Sequence, residues 1–198
     1  QVLSDIASGE TIEDPGLAVR AAQLYLPIEN YAFQTAFLMG LFDRQAYNYD
    51  TESPLGPDNM PELLSEINVV DLGPIRMLTI PGELLPELAV GGYDGSHTNI
   101  GESTDQIVSS ENPNPPDLTQ APEGPYIKER MQGQHNWIVG LGNDEVGYII
   151  PEYNFITHTT SPWFDEPEGD HYEETNSLGP GTAGLVESAV DRLLEWTP

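Results

Sequence analysis

The 198-residue chain has no cysteine and a single lysine, Lys128. The first absence excludes a disulfide scaffold and removes the thiolate ligands on which most structural zinc sites are built. The second belongs to a wider shortage of positive charge, because six Lys and Arg stand against 33 Asp and Glu and leave a formal net charge of −27. Such a surface repels phosphate backbones, so nucleic acid is not an expected partner, and anionic lipid surfaces are disfavoured on the same ground. Histidine is scarce as well. The four present, His97, His135, His158 and His171, are not spaced to place two imidazoles on one helix face. Long hydrophobic runs are also missing. The longest, Tyr31 to Phe42, is broken by Gln34 and Thr35 and falls short of the roughly 20 residues that a membrane-spanning helix needs. No signal peptide opens the sequence, so Gln1 is expected to be a processed terminus or a boundary within a longer protein.

What is present is acid, glycine and proline. The chain holds 19 glycines and 18 prolines with 38% apolar residues, which points to one ordinary domain with much of its length in loops. The acid fits a surface that stays soluble in a salty medium, where self-repulsion is screened. A calcium loop would need oxygen ligands around a glycine turn, and Asp94-Gly95-Ser96-His97-Thr98-Asn99 half matches that pattern.

Residues 1–13 read as extended or disordered. Asp14-Pro15 offers a helix start, and Leu17, Ala18, Ala21, Ala22 and Leu24 give a helical stripe up to Pro27. A second, buried helix is expected over Ile28 to Phe42. After a polar loop at 48–61, Gly73-Pro74 separates two apolar stretches, Ile67 to Leu72 and Ile75 to Ile80, as a hairpin would. Leu84 to Val90 reads as a short helix and Trp137 to Leu141 as a buried strand, with Tyr148 to Ile150 resuming an extended path. A final amphipathic helix carries Leu185, Val186, Ala189, Leu193 and Leu194. Residues 91–132 and 154–170 read as long loops or insertions. The fold class expected is α/β (α+β), a layered mixed sheet flanked by helices.

Three short segments stand out in order: Thr79-Ile80-Pro81-Gly82-Glu83, then Gly140-Leu141-Gly142-Asn143 running on to Tyr148, then His171-Tyr172-Glu173 ahead of Gly179-Pro180. A Pro-Gly turn lets a chain leave a strand abruptly and present a carboxylate at its end. Read by itself, Glu83 is as well explained as a carboxylate at the start of the short helix that follows. Tyr148 and Tyr172 are as well explained as half-buried tyrosines with a partner for the hydroxyl.

Taken together the segments resemble the C-terminal part of the catalytic domain of the neutral/alkaline ceramidase family, zinc-dependent amidases of N-acyl sphingoid lipids. The resemblance implies that Glu83 and Tyr148 are two of four zinc ligands, and that Tyr172 faces the scissile carbonyl. The remaining ligands, two histidines, and the family's serine would lie upstream of the matched region. Zn2+ is therefore the expected cofactor. The expected partner is an N-terminal half of the same precursor or a second chain, on which residues 1–198 would pack as the C-terminal portion of a larger catalytic domain. The apolar stretch from Tyr31 to Phe42 is the expected contact, and the isolated chain is expected to be inactive. The expected substrate is an N-acyl, lipid-like amide, and the expected location is secreted, periplasmic or at the cell surface. His171 has no role in the pattern and is expected to be exposed. The competing expectation is a non-catalytic acidic surface or assembly protein that retains a hydrolase-like scaffold.

Overall fold

A computed structural model of the chain describes residues 8–9, 11–91, 113–169 and 171–196. In chain order its elements are β1 (Leu17–Pro27), α1 (Tyr31–Leu38), β2 (Glu62–Leu72), β3 (Ile75–Thr79), β4 (Glu83–Leu84), α2 (Pro86–Ala89), α3 (Ile127–Arg130), β5 (His135–Val139), β6 (Tyr148–Ile149), α4 (Tyr172–Thr175) and α5 (Thr182–Glu195). Four strands form a mixed sheet in the order β1-β2-β3-β5, antiparallel except for the parallel β3–β5 pair. The short pair β4–β6 forms a second, parallel sheet. The α/β class expected from the sequence is the class observed.

Alternation along the strands divides the sheet into two faces. One carries Leu24, Leu26, Ile67, Val69 and Leu78, all buried against Ala183, Val186, Ala189, Val190 and Leu193 of α5. Those helix positions recur at intervals of three or four residues, so they form one stripe. Burying each large aliphatic side chain there contributes about 1.5–3 kcal/mol. On the other face three rows cross all four strands, Leu17, Leu72, Ile75, His135; Val19, Val70, Met77, Trp137; and Ala21, Asn68, Thr79, Val139, and the β1–β2 pair carries it on through Gln23–Glu66, Tyr25–Leu64 and Pro27–Glu62.

Residues 17–24 form a strand, not the expected helix. Their small and aliphatic side chains satisfy a helical stripe and a two-residue alternation equally, and eleven paired positions along β2 decide the matter. The expected helix from Ile28 to Phe42 shortens to Tyr31–Leu38. Asn30 caps it by accepting from the N–H groups of Ala32 and Phe33. The apolar contact surface expected there is divided: Phe33 and Phe37 pack against the core, while Leu38, Met39 and Leu41 stand exposed. The hairpin, the final helix and the loop character of 154–169 follow the sequence reading. The half-matched calcium loop at Asp94–Asn99 lies outside the described residues, as does most of 1–13.

Charge pins the helix to the sheet. On the covered face Arg20 donates to Asp71 (2.8 Å) and to the carbonyl oxygens of Leu193 (3.1 Å) and Trp196 (3.3 Å), closing the end of α5. Arg76 donates to both oxygens of Asp71 (2.6 and 3.2 Å) and to the Met131 carbonyl (2.6 Å). The hydrogen bond from Arg76 holds the Asp71 carboxyl below the usual carboxylate range, and the charges of Arg76 and Arg20 add to it against the opposing effect of burial.

Because that pKa is depressed in the folded state, the contribution of Asp71 is fully present above the unfolded carboxylate pKa of about 3.9 and is lost as the pH falls through the lower folded value. Asp71→Ala is therefore expected to cost about 2–3 kcal/mol at neutral pH, with the deficit shrinking in acid. Urea unfolding of the two proteins at neutral and acidic pH reads the difference. A deficit independent of pH would contradict the assignment.

Candidate active site

The site is built where β3 and β5 leave the sheet side by side. Their parallel pairing continues through Ile80 N–H to the Val139 carbonyl (2.9 Å) and Gly142 N–H to the Ile80 carbonyl (2.9 Å). The Pro81-Gly82 turn then carries the chain into β4. Val146 N–H donates to Pro81 O (2.9 Å) and Glu83 N–H to Gly147 O (3.0 Å), which zips β4 to the segment leading into β6. Two glycines permit this approach. A Cβ on Gly82 would lie 2.3 Å from the Gly147 oxygen; one on Gly147, at φ +89°, would lie 2.1 Å from the Asn176 oxygen. Tyr148 N–H in turn donates to Asn176 O (3.1 Å).

The register of this pair sets Glu83 opposite Tyr148. Directly paired residues of parallel strands project to the same side, so carboxylate and phenol leave the same face. Tyr172, the first residue of α4, sets its ring edge-on to that of Tyr148, with centroids 5.8 Å apart and planes at 76°. Glu83, Tyr148 and Tyr172, the three residues singled out in the sequence, line one pocket of about 490 Å³. The expected strands, Ile75–Ile80 and Trp137–Leu141, are the neighbours that bring the first two together.

The rest of the lining was not legible beforehand. Phe33 and Phe37 from α1, with Phe42 just beyond it, form an aromatic wall, and Glu145 adds a second carboxylate. Phe42 holds the wall together through ring contacts to Phe33 (6.0 Å) and Phe37 (4.9 Å). Arg44, also in the lining, donates to both oxygens of Asp144 and to the Leu64 carbonyl, and so bolts the Asn143–Gly147 turn to β2. Burial raises the Asp144 pKa, but hydrogen bonds from Arg44, Ser65 and the Glu145 N–H outweigh it and keep the carboxyl below its usual range.

His171 is buried, not exposed as expected: 2% of it is accessible. Its Nδ1 lies 2.9 Å from Glu174 Oε1 and its Nε2 3.0 Å from the Asn114 carbonyl oxygen. A carbonyl only accepts, so Nε2 carries the proton there. Burial pushes the Glu174 pKa up, partly offset by the hydrogen bond with His171. The pair fixes the start of α4 and thereby Tyr172. The signal was the spacing His171-x-x-Glu174, one helical turn; its third member, Asn114, is remote in sequence.

The electrostatics favour a cation. Burial raises the Tyr148 pKa above the ordinary phenol value, and the nearby Glu83 carboxylate, the Tyr172 phenol, Glu173 and Glu145 raise it further. A bound divalent ion beside the phenol would act in the opposite direction. Glu83 and Tyr148 fit a hard or borderline metal as two oxygen donors on one face, which is half of a four-coordinate set. No group of three or more His, Cys, Asp or Glu able to hold a metal occurs among the described residues.

Comparison with known protein families, with curated proteins and with solved structures finds no match for this chain. No helix among the described residues is long and apolar enough to cross a membrane.

Replacing Glu83 by Gln is expected to lower the Tyr148 pKa, since one of the negative charges opposing ionisation is removed while burial is kept. NMR titration of the tyrosine Cζ resonances, with Tyr148→Phe supplying the assignment, measures it. An unchanged Tyr148 titration would mean that the two side chains do not share a site.

Proposed function

We propose that this chain is the C-terminal portion of a zinc-dependent amidase resembling neutral ceramidases, hydrolysing an N-acyl, lipid-like amide outside the cytoplasm. The observation that carries the reading is the meeting of Glu83, Tyr148 and Tyr172 in one pocket with an aromatic wall. Glu83 and Tyr148 hold the metal from the paired strands, and the remaining ligands come from another polypeptide segment. Zinc, when bound, supplies an activated water and a charge that stabilises the phenolate.

Tyr172 acts on the substrate. Its hydroxyl donates to the carbonyl oxygen of the amide, and the bond strengthens as negative charge develops there, a contribution of about 3 kcal/mol for one well-placed donor. Its ring is kept in place by the Tyr148 edge contact and by the buried His171–Glu174 pair at the base of its helix. Phe33, Phe37 and Phe42 take up the acyl chain and exclude water, each buried methylene adding about 0.8 kcal/mol. Binding strength and chemistry are thereby divided between the two walls.

Three variants of the complete protein test this division. Tyr172→Phe is expected to keep zinc and a near-normal Michaelis constant while turnover falls about a hundredfold. Tyr148→Phe and Glu83→Gln are expected to lose zinc instead. Zinc content and hydrolysis of an N-acyl amide are read side by side. Full turnover of zinc-loaded Tyr172→Phe would remove its role. Native protein with neither zinc nor hydrolysis would favour an acidic binding protein on a hydrolase-like scaffold.

A further inference from the structure

We propose that a cavity on the other side of α1 from the candidate active site binds a quaternary ammonium cation of the choline type, independently of the amidase reading. Helix α1 divides the two spaces: Phe33 and Phe37 line the pocket of Glu83 and Tyr148, whereas Tyr31 and Gln34 line a second cavity of about 450 Å³. Tyr31, Phe155 and Trp163 give this cavity an aromatic corner. The Trp163 ring meets that of Tyr31 with centroids 6.4 Å apart and planes at 73°, and that of Phe155 at 5.6 Å and 58°. Rings so inclined bound a corner and do not stack into a flat layer. Tyr31 is 51% exposed, so solutes reach it.

Trp163 is held at this corner against its backbone preference. Its φ of +72° lies in the left-handed region, where a bulky side chain is an outlier. The turn that carries it is tied at Ser161, whose carbonyl accepts from the N–H groups of Phe164 (3.3 Å) and Asp165 (3.2 Å) and whose own N–H donates to His158 Nδ1 (3.1 Å). Residues kept in such conformations gather at ligand sites. Phe155 and Trp163 both belong to the long loop at 154–169, to which the amidase reading gives no task.

Charge and hydration choose the ligand. Glu29 and Glu152 line the cavity, and no Lys, Arg or His does so among the described residues. Glu29 Oε1 accepts from the Gly181 N–H (2.9 Å), which anchors that carboxylate. Neither glutamate has an ion-pair partner among the described residues, where the paired arginines are engaged by Asp71, Asp144, Glu187 and Asp191. Ring faces and carboxylates both attract positive charge. Two carboxylates beside aromatic rings do not supply the roughly six to eight oxygens that calcium takes, and a primary ammonium is too strongly hydrated to gain from ring faces. A quaternary ammonium spreads its charge over methyl groups and donates no hydrogen bond, so it leaves water at little cost and gains apolar burial as well. A phosphate or carboxylate attached to it would be set beside Glu29 and Glu152. The ligand therefore carries no anionic group.

Isothermal titration calorimetry of the native protein at fixed ionic strength, with choline chloride as the probe, tests the site. Choline is expected to bind about tenfold more tightly than 3,3-dimethyl-1-butanol, its uncharged isostere, and more tightly than phosphocholine, which bears the phosphate of a lipid headgroup. Trp163→Gly removes the ring but suits a φ of +72°, so its circular dichroism is expected to match the parent's while choline affinity falls about tenfold. In NMR spectra of the native protein the indole N–H resonance of Trp163 is expected to shift with choline while those of Trp137 and Trp196 stay, a readout that decides the case even if Trp163→Gly does not fold. Absence of choline binding overturns the proposal, and so does a shift at another tryptophan in place of Trp163. Equal binding of the isostere, which marks a plain apolar cleft, overturns it too, as does unchanged affinity in folded Trp163→Gly. Tighter binding of phosphocholine, which marks a lipid headgroup, or of arginine, which marks a partner's guanidinium, overturns it as well.

Discussion

The site depends on a backbone crossing in which three segments meet with no room for a side chain between them. Gly82 meets Gly147, Gly147 meets Asn176, and hydrogen bonds from the N–H groups of Glu83 and Tyr148 run across the same two contacts. One segment ends in Glu83, the next continues into Tyr148, and the third is the exit of the helix that begins with Tyr172. The backbone positions from which the carboxylate and the two phenols project are therefore fixed by main-chain contacts, the form of support that a site with fixed geometry requires.

The unequal charge of the chain is handled by placing its few cations at structural joints. Arg20 and Arg76 share Asp71, Arg20 closing the end of α5 and Arg76 reaching the Met131 carbonyl beyond α3; Arg44 ties the pocket turn to β2; Arg130 reaches Glu187 and Asp191 to hold α3 against α5. Each of these arginines presents several donors in a rigid fork, so one side chain joins two or three elements where a lysine would join one. In the pocket that holds Tyr148, the lining arginine, Arg44, is paired with Asp144. Burial first, and then the Glu83 carboxylate and its neighbours, raise the Tyr148 pKa, and a cation beside the phenol would act in the opposite direction.

What the sequence disclosed follows from how local each demand is. Gly82, Gly147 and the Gly140–Asn143 turn meet constraints within a few residues of themselves, so the segments around Glu83 and Tyr148 could be picked out from one strand of text. The hairpin at Gly73-Pro74 and the final helix are similarly local. Residues 17–24 were not legible as a strand because their helical and alternating patterns coincide until β2 is laid beside them. The burial of His171 was hidden because half of its environment, the Asn114 carbonyl, arrives from a distant loop. The aromatic wall required knowing that α1 ends opposite the β4–β6 pair, and the open sheet face required knowing which way β1 and β5 turn.

The central claim is that Glu83 and Tyr148 share a zinc ion. A crystal structure of the native protein, with anomalous data collected at the zinc absorption edge, tests it most directly. The expected result is one anomalous peak about 2.0–2.2 Å from both the Glu83 carboxylate and the Tyr148 phenolic oxygen, with nitrogen ligands from outside this chain completing a four-coordinate site. A fully loaded zinc peak elsewhere, with Glu83 and Tyr148 hydrated in the pocket, would contradict it.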